Sequence, residues 1–126
     1  MGVSVTQADV AANAVSGTIV FSDFAKVDIR AGTIIAAQFN TKARNPAYIL
    51  EVDFGPFGTM TSSAQITEAY TPEELIGQQV IAVMNFAPKR VAGIVSEVLV
   101  LAIVQDAGPT MLLAPTHPVK NGARLA

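Results

Sequence analysis

The sequence predicts an all-β fold: a small barrel of five strands around one core. Three observations predict it. Apolar and polar residues alternate with a period of two along residues 27–31 and 48–54, the pattern of half-buried strands. Turn chemistry separates the apolar runs, as at Gly55-Pro56-Phe57-Gly58 and Asp106-Ala107-Gly108-Pro109. A chain of 126 residues, 51% hydrophobic and 14% charged, is long enough for one domain with its own core and too short for two.

The elements follow in chain order. Residues 1–19 are rich in Ala, Val, Ser and Thr without a period, and are expected to be an N-terminal tail, mobile or docked on a partner. One domain then runs over residues 20–126. Ser22-Asp23-Phe24 can cap a short helical turn. Val27, Ile29 and Ala31 alternate with Asp28 and Arg30, and the alternation loses phase at Gly32-Thr33. A Gly at a phase slip marks a bulge or bend, so the first strand is long and bent, over about residues 27–38. After a polar loop, Tyr48, Leu50, Val52 and Phe54 share one face of a second strand, and residues 59–63 form a short third. Thr71-Pro72-Glu73-Glu74 opens a brief helix: Thr71 as N-cap, Pro72 at the first position, Glu74 closing a capping box, Gly77 ending it. Residues 80–86 are the fourth strand, 87–93 a loop, 94–104 a long fifth strand, and 111–114 a short extra one.

Five strands with a short helix between the third and fourth is the order of an OB-fold barrel. That fold binds oligonucleotides on its strand 2–3 face and with its 1–2 and 4–5 loops. Here those loops hold Lys42 and Arg44, and Lys89 and Arg90, four of the eight basic residues. They are the candidates for phosphate contacts, since cationic side chains, and guanidinium groups in bidentate fashion, match phosphate oxygens. Exposed loops also collect charge in any soluble domain. The net charge of −2 argues against a generic nucleic-acid binder, although the acidic residues gather at Glu68, Glu73 and Glu74 and leave positive charge free elsewhere. Arg30, Ser63, Asn85 and Ser96 complete the candidate RNA-binding set. Each has a plainer reading: an ion pair of Arg30 with Asp28 or Asp53, a turn-stabilising amide, small serines chosen for packing.

A polypeptide ligand needs an apolar groove with polar edges. Phe39, Tyr48 and Phe86 are the aromatic candidates for it, with Tyr48 reading more readily as core than as groove. Two tyrosines, six phenylalanines and no tryptophan give little support to base stacking. Residues 80–84 and 98–104 are apolar on both faces, whereas a small barrel has one interior. The outer face calls for a cover: a homodimer partner using the terminal segments, or those segments folded back within one chain.

Other chemistry is excluded. There is no cysteine and a single histidine, His117, so thiol nucleophiles, Cys-zinc sites and multi-His metal sites are absent from the chain. The capping box accounts for Glu73 and Glu74 without catalysis, and Gly55-x-x-Gly58 is a turn and not a phosphate loop. No enzyme activity, cofactor or metal is expected. The strongest apolar run, residues 98–104, is far short of the ~20 residues of a membrane helix. The N-terminus lacks the basic start of a signal peptide, so the cytoplasm is the expected location.

Several separated motifs carry a resemblance. Asp23-Phe24-x-Lys26-Val27-Asp28-Ile29-Arg30-Ala31-Gly32 and the block from Tyr70-Thr71-Pro72-Glu73-Glu74 through Asn85-Phe86-x-Pro88-Lys89-Arg90-x-x-Gly93 resemble the tRNA-binding OB domains. These occur at the C-termini of bacterial methionyl-tRNA synthetases and in the endothelial monocyte-activating polypeptide. Within that family, Ala43-Arg44-Asn45-Pro46-Ala47-Tyr48, Ser62-Ser63-Ala64-Gln65-Ile66-Thr67 and Ser96-Glu97-Val98-Leu99-Val100-Leu101 look like the stand-alone CsaA group. Synthetase-type domains typically carry Ser-Gln-Gly-Met where this chain has Ser96-Glu97-Val98-Leu99. The resemblance covers about residues 20–126. It implies a homodimeric OB-fold without enzymatic activity, a chaperone of protein secretion that holds preproteins and meets the secretion motor ATPase. The wider family implies tRNA bound by shape, and this chain is less basic and more apolar than its RNA-binding members.

Overall fold

Strand β1 (Ile29–Phe39) is the spine of the molecule. In the computed structural model, which describes residues 15–126, its first half pairs with β4 (Gln79–Val83) and its second with β2 (Tyr48–Asp53), both antiparallel. β2 continues through a 3-10 turn at Gly55–Phe57 into β3 (Thr59–Ala64). β4 pairs with the two-residue β7 (Leu99–Val100), giving the sheet order β3-β2-β1-β4-β7. The chain at 96–98 then nearly closes the barrel. Glu97 donates its N–H to the Thr61 carbonyl at 2.8 Å, and Thr61 donates its own to Glu97 Oε1 at 2.9 Å.

The alternation in β2 works as the sequence predicts: Tyr48, Leu50 and Val52 point inward and are buried, joined by Ile34, Phe54, Leu75 and Val80. The bend in β1 is displaced from its predicted place. The register slips at Ile35, between Ile34 and Ala36, and not at Gly32. Gly32 serves close approach: a Cβ there would stand 2.7 Å from the Phe54 ring and from Val52.

Helix α1 (Phe21–Ala25) contains the predicted turn, with Val20 before it and the Asp23 carboxylate accepting the Val20 N–H at 3.4 Å. Helix α2 (Pro72–Leu75) has the predicted capping box: Thr71 Oγ1 accepts the Glu74 N–H, and Glu74 Oε1 accepts the Thr71 N–H at 2.6 Å. Of the expected tail over residues 1–19, residues 1–14 lie outside the described residues, and 15–19 are exposed chain without helix or strand.

Two expectations are corrected. The loop over 87–93 is half strand: β5 (Lys89–Val91) pairs with β6 (Ile94–Ser96) in a hairpin turned by Ala92-Gly93. The long fifth strand over 94–104 is three pieces, β6, β7 and β8 (Ala102–Ile103), each with a different partner. β8 pairs with β9 (Met111–Leu112), the predicted extra strand in shortened form. A run apolar on both faces fits this path, because its residues face the interior in one piece and the outside in the next.

The C-terminal residues 122–125 run along the part of β1 that β2 leaves open. Gly122 and Leu125 donate N–H to the carbonyls of Ala31 and Ile29 at 2.8 Å, and Ala31 donates to Ala123 at 3.0 Å. The terminal segment thereby shields an otherwise open strand edge within one chain.

Candidate ligand-binding surface

Beside the barrel seam lies an open groove of about 660 Å³. Its floor is the broken fifth strand, with Val98, Leu99 and Ala102; one wall is the end of β3, with Ser63 and Ala64; the other is the β5–β6 hairpin. The polar groups on it are few, chiefly Lys89, Glu97, Gln65 and the two serines. A smaller hollow of about 260 Å³ shares Gln65, Ile66 and Thr110 with it and reaches Asn45, Pro46 and Glu68. All three motifs that set the CsaA group apart in sequence therefore line this one surface: Asn45-Pro46, Ser63-Ala64-Gln65-Ile66 and Ser96-Glu97-Val98-Leu99-Val100.

The predicted peptide-binding aromatics divide three ways. Phe86 is exposed and lines the groove. Phe39 is exposed but stands outside it, its ring 4.8 Å from that of Tyr48. Tyr48 is withdrawn from the groove: it is 1% exposed, and its hydroxyl donates to the Tyr70 carbonyl at 2.6 Å. Burial pushes the Tyr48 phenol above its usual range, and the charges of Glu73 and Glu74 push it the same way.

The RNA-binding candidates also divide. Lys42, Arg44, Lys89 and Arg90 are exposed and form no ion pair among the described residues. The two rim loops meet: Asn40, at the start of the 1–2 loop, donates Nδ2–H to the Ala92 carbonyl at 3.2 Å, and the Lys42 stem lies against Gly93. Arg30 is already engaged. Its Nε is 2.8 Å from Asp28 Oδ1, its Nη1 donates to Gly122 at 2.9 Å, and its guanidinium stacks 4.3 Å from the Phe57 ring centroid. The Asp28 contact lies off the N–H axis, so it is an ion pair without a hydrogen bond. Asn85 is engaged at both ends, accepting the Asp28 N–H at 3.0 Å and donating to the Lys26 carbonyl at 2.7 Å. Neither side chain is free for a ligand in this arrangement. Ser96 Oγ accepts the Ser63 N–H at 3.1 Å, a bond that pins the hairpin base to β3 while both residues face the groove.

Sequence reasoning missed the apolar lining, Val91, Ala102 and Val104 among it, and the Asn40 link. The signal for the lining was the two-faced apolar run. The link had none, because it joins residues 52 positions apart.

Comparison with known proteins agrees with the geometry. A putative tRNA-binding domain family matches residues 29–124. The crystal structure of the chaperone CsaA from Bacillus anthracis is 51% identical, with a TM-score of 0.83, covering 87% of this chain and 100% of that one. The chain belongs to the tRNA-binding domain family, in its CsaA group. The CsaA chaperone from Picrophilus torridus is 43% identical, with a TM-score of 0.81 over 86% of this chain and all of that one. Among curated relatives, the methionine–tRNA ligase of Bacteroides fragilis is 35% identical over 119 residues, 94% of this chain but 17% of the ligase. The OB-type barrel and the membership of the tRNA-binding domain family are thereby established. Among the described residues no helix is long and apolar enough to cross a membrane, and no three His, Asp or Glu side chains cluster as a metal site would require.

Proposed function

We propose that this protein is a non-enzymatic, CsaA-type chaperone that holds extended, partly apolar polypeptide in the groove. The observation that carries the reading is the convergence of two CsaA-type motifs on one apolar groove with few polar groups, with the third, Asn45-Pro46, lining the hollow that adjoins it. An extended chain brings apolar side chains for the floor and backbone groups for the polar edge. Both solved structures named above are CsaA chaperones, which supports the same reading. The working form is a homodimer: Ile103 and Met111, exposed on the β8–β9 pair beside the groove, offer apolar surface that a second copy would cover. The clients are unfolded proteins or preproteins in the cytoplasm, and the secretion motor ATPase is a partner of the same activity.

One observation favours a second reading, a structure-specific tRNA-binding protein. Lys42 rests on the hairpin that carries Lys89 and Arg90, so the unpaired rim cations stand close enough to engage one phosphate backbone. Salt separates the two readings. Phosphate contacts release counterions, and four engaged cations give a log–log slope of about −3. Apolar burial gives a far flatter dependence and a negative ΔCp. Fluorescence anisotropy with labelled total tRNA and a labelled unfolded presequence, each at two salt concentrations, decides the matter. Presequence binding that persists in salt supports the chaperone. Binding confined to tRNA and lost in salt replaces it with the RNA reading.

A further inference from the structure

The β5–β6 hairpin is tied to the barrel unevenly. Its base is fixed through Ser96 to Ser63 and through Glu97 to Thr61. Its outer strand has no backbone hydrogen bond among the described residues except to β6, and residues 85–90 are all exposed. Its tip is held by one side-chain hydrogen bond, from Asn40 to the Ala92 carbonyl. The tip itself is strained. Val91 pairs with Ile94, so Ala92 and Gly93 make a two-residue turn with φ of 46° and 88°. Such a turn favours Asn-Gly, and Ala92 is the sole non-glycine residue with positive φ among those described. The inner face of this hairpin, Lys89, Val91 and Ser96, is a wall of the groove.

We infer that the hairpin is a flap over the groove, hinged at its base and clasped at its tip by Asn40. Opening the clasp moves Val91 and Lys89 away from the groove they line and widens its mouth. Closing it sets Val91 and the Lys89 stem against whatever lies there. The flap therefore sets the rate at which a ligand enters and leaves. This rests on the reading of the groove as a ligand site, and the flap motion itself can be measured without any ligand.

Two substitutions move the hairpin in opposite directions, one by weakening its clasp and the other by relaxing its turn. Asn40→Asp keeps the oxygen that accepts the Lys42 N–H but removes the donor to Ala92. Ala92→Asn places a residue tolerant of the left-handed region at the strained position. Amide hydrogen exchange of the full chain reads both. In the unsubstituted protein, residues 89–96 exchange faster than β1, β2 and β4. Asn40→Asp speeds their exchange severalfold and leaves those three strands unchanged. Ala92→Asn slows it. If Asn40→Asp impairs folding, the Ala92→Asn comparison alone still decides. Hairpin exchange as slow as that of the barrel strands, or unmoved by Ala92→Asn, overturns the flap. Adding an unfolded apolar peptide then separates the two claims. Variant-dependent exchange that the peptide leaves unchanged keeps the flap and removes the polypeptide reading.

Discussion

Tyr48 shows how one side chain joins several parts of this molecule. Its ring fills the core at the start of β2, and its hydroxyl holds the Tyr70 carbonyl. Tyr70 in turn accepts the Leu112 N–H at 3.0 Å, which ties β9 to the barrel. Tyr48→Phe removes one buried hydrogen bond, and chemical denaturation should show a loss of about 1 kcal/mol. The raised Tyr48 phenol also sets a pH dependence. The unfolded chain gives up this proton first, so the folded form binds it more tightly at high pH. Stability is unaffected near neutrality and falls as pH rises above the ordinary tyrosine value of about 10. Thermal melts between neutral and alkaline pH should show this fall, and Tyr48→Phe should make it shallower. Gly32 makes the opposite point about size. Gly32→Ala forces a Cβ against Phe54 and Val52 and should cost about 1–3 kcal/mol in the same denaturation assay.

Elements were legible in the sequence where the signal is local. The α2 capping box is written in four consecutive residues and appears as expected. Removing it with Thr71→Ala should cost about 1 kcal/mol, measurable by denaturation, with little effect on ligand binding because Thr71 does not line the groove. The alternation in β2 is local too. The broken fifth strand was not legible, because its breaks are set by changes of partner: β6 on β5, β7 on β4, β8 on β9. Nor was the hairpin, since Ala92-Gly93 lacks the Asn or Asp that marks such a turn. Among candidate site residues the same division holds. The rim cations were legible from loop position. The ion pair of Arg30 with Asp28 was legible too; the bond of Arg30 to Gly122 and that of Asn85 to Asp28 were not, because those partners lie 92 and 57 residues away.

At the scale of the whole molecule, two binding chemistries share one end of the barrel. Lys42 and Arg44 stand on the 1–2 loop, Lys89 and Arg90 on the hairpin that loop meets, and the apolar groove begins on the inner face of the same hairpin. The groove joins two of the CsaA-type sequence motifs and the adjoining hollow carries the third, which is why a polypeptide ligand is the proposed reading. Polar groups on its edge are few, so a charge placed on its floor should be costly to a bound chain. Val104 lines the groove, yet is 79% exposed, so Val104→Glu tests the surface without disturbing the core. The most direct measurement is a titration of a labelled unfolded presequence into three proteins: the unsubstituted chain, Val104→Glu, and the double variant Lys42→Ala with Arg44→Ala, two rim cations that do not line the groove. The groove account predicts binding to the unsubstituted chain that Val104→Glu weakens by about tenfold or more, roughly 1.4 kcal/mol, and that the double variant largely keeps. Binding that survives Val104→Glu and disappears with the two rim cations would contradict it.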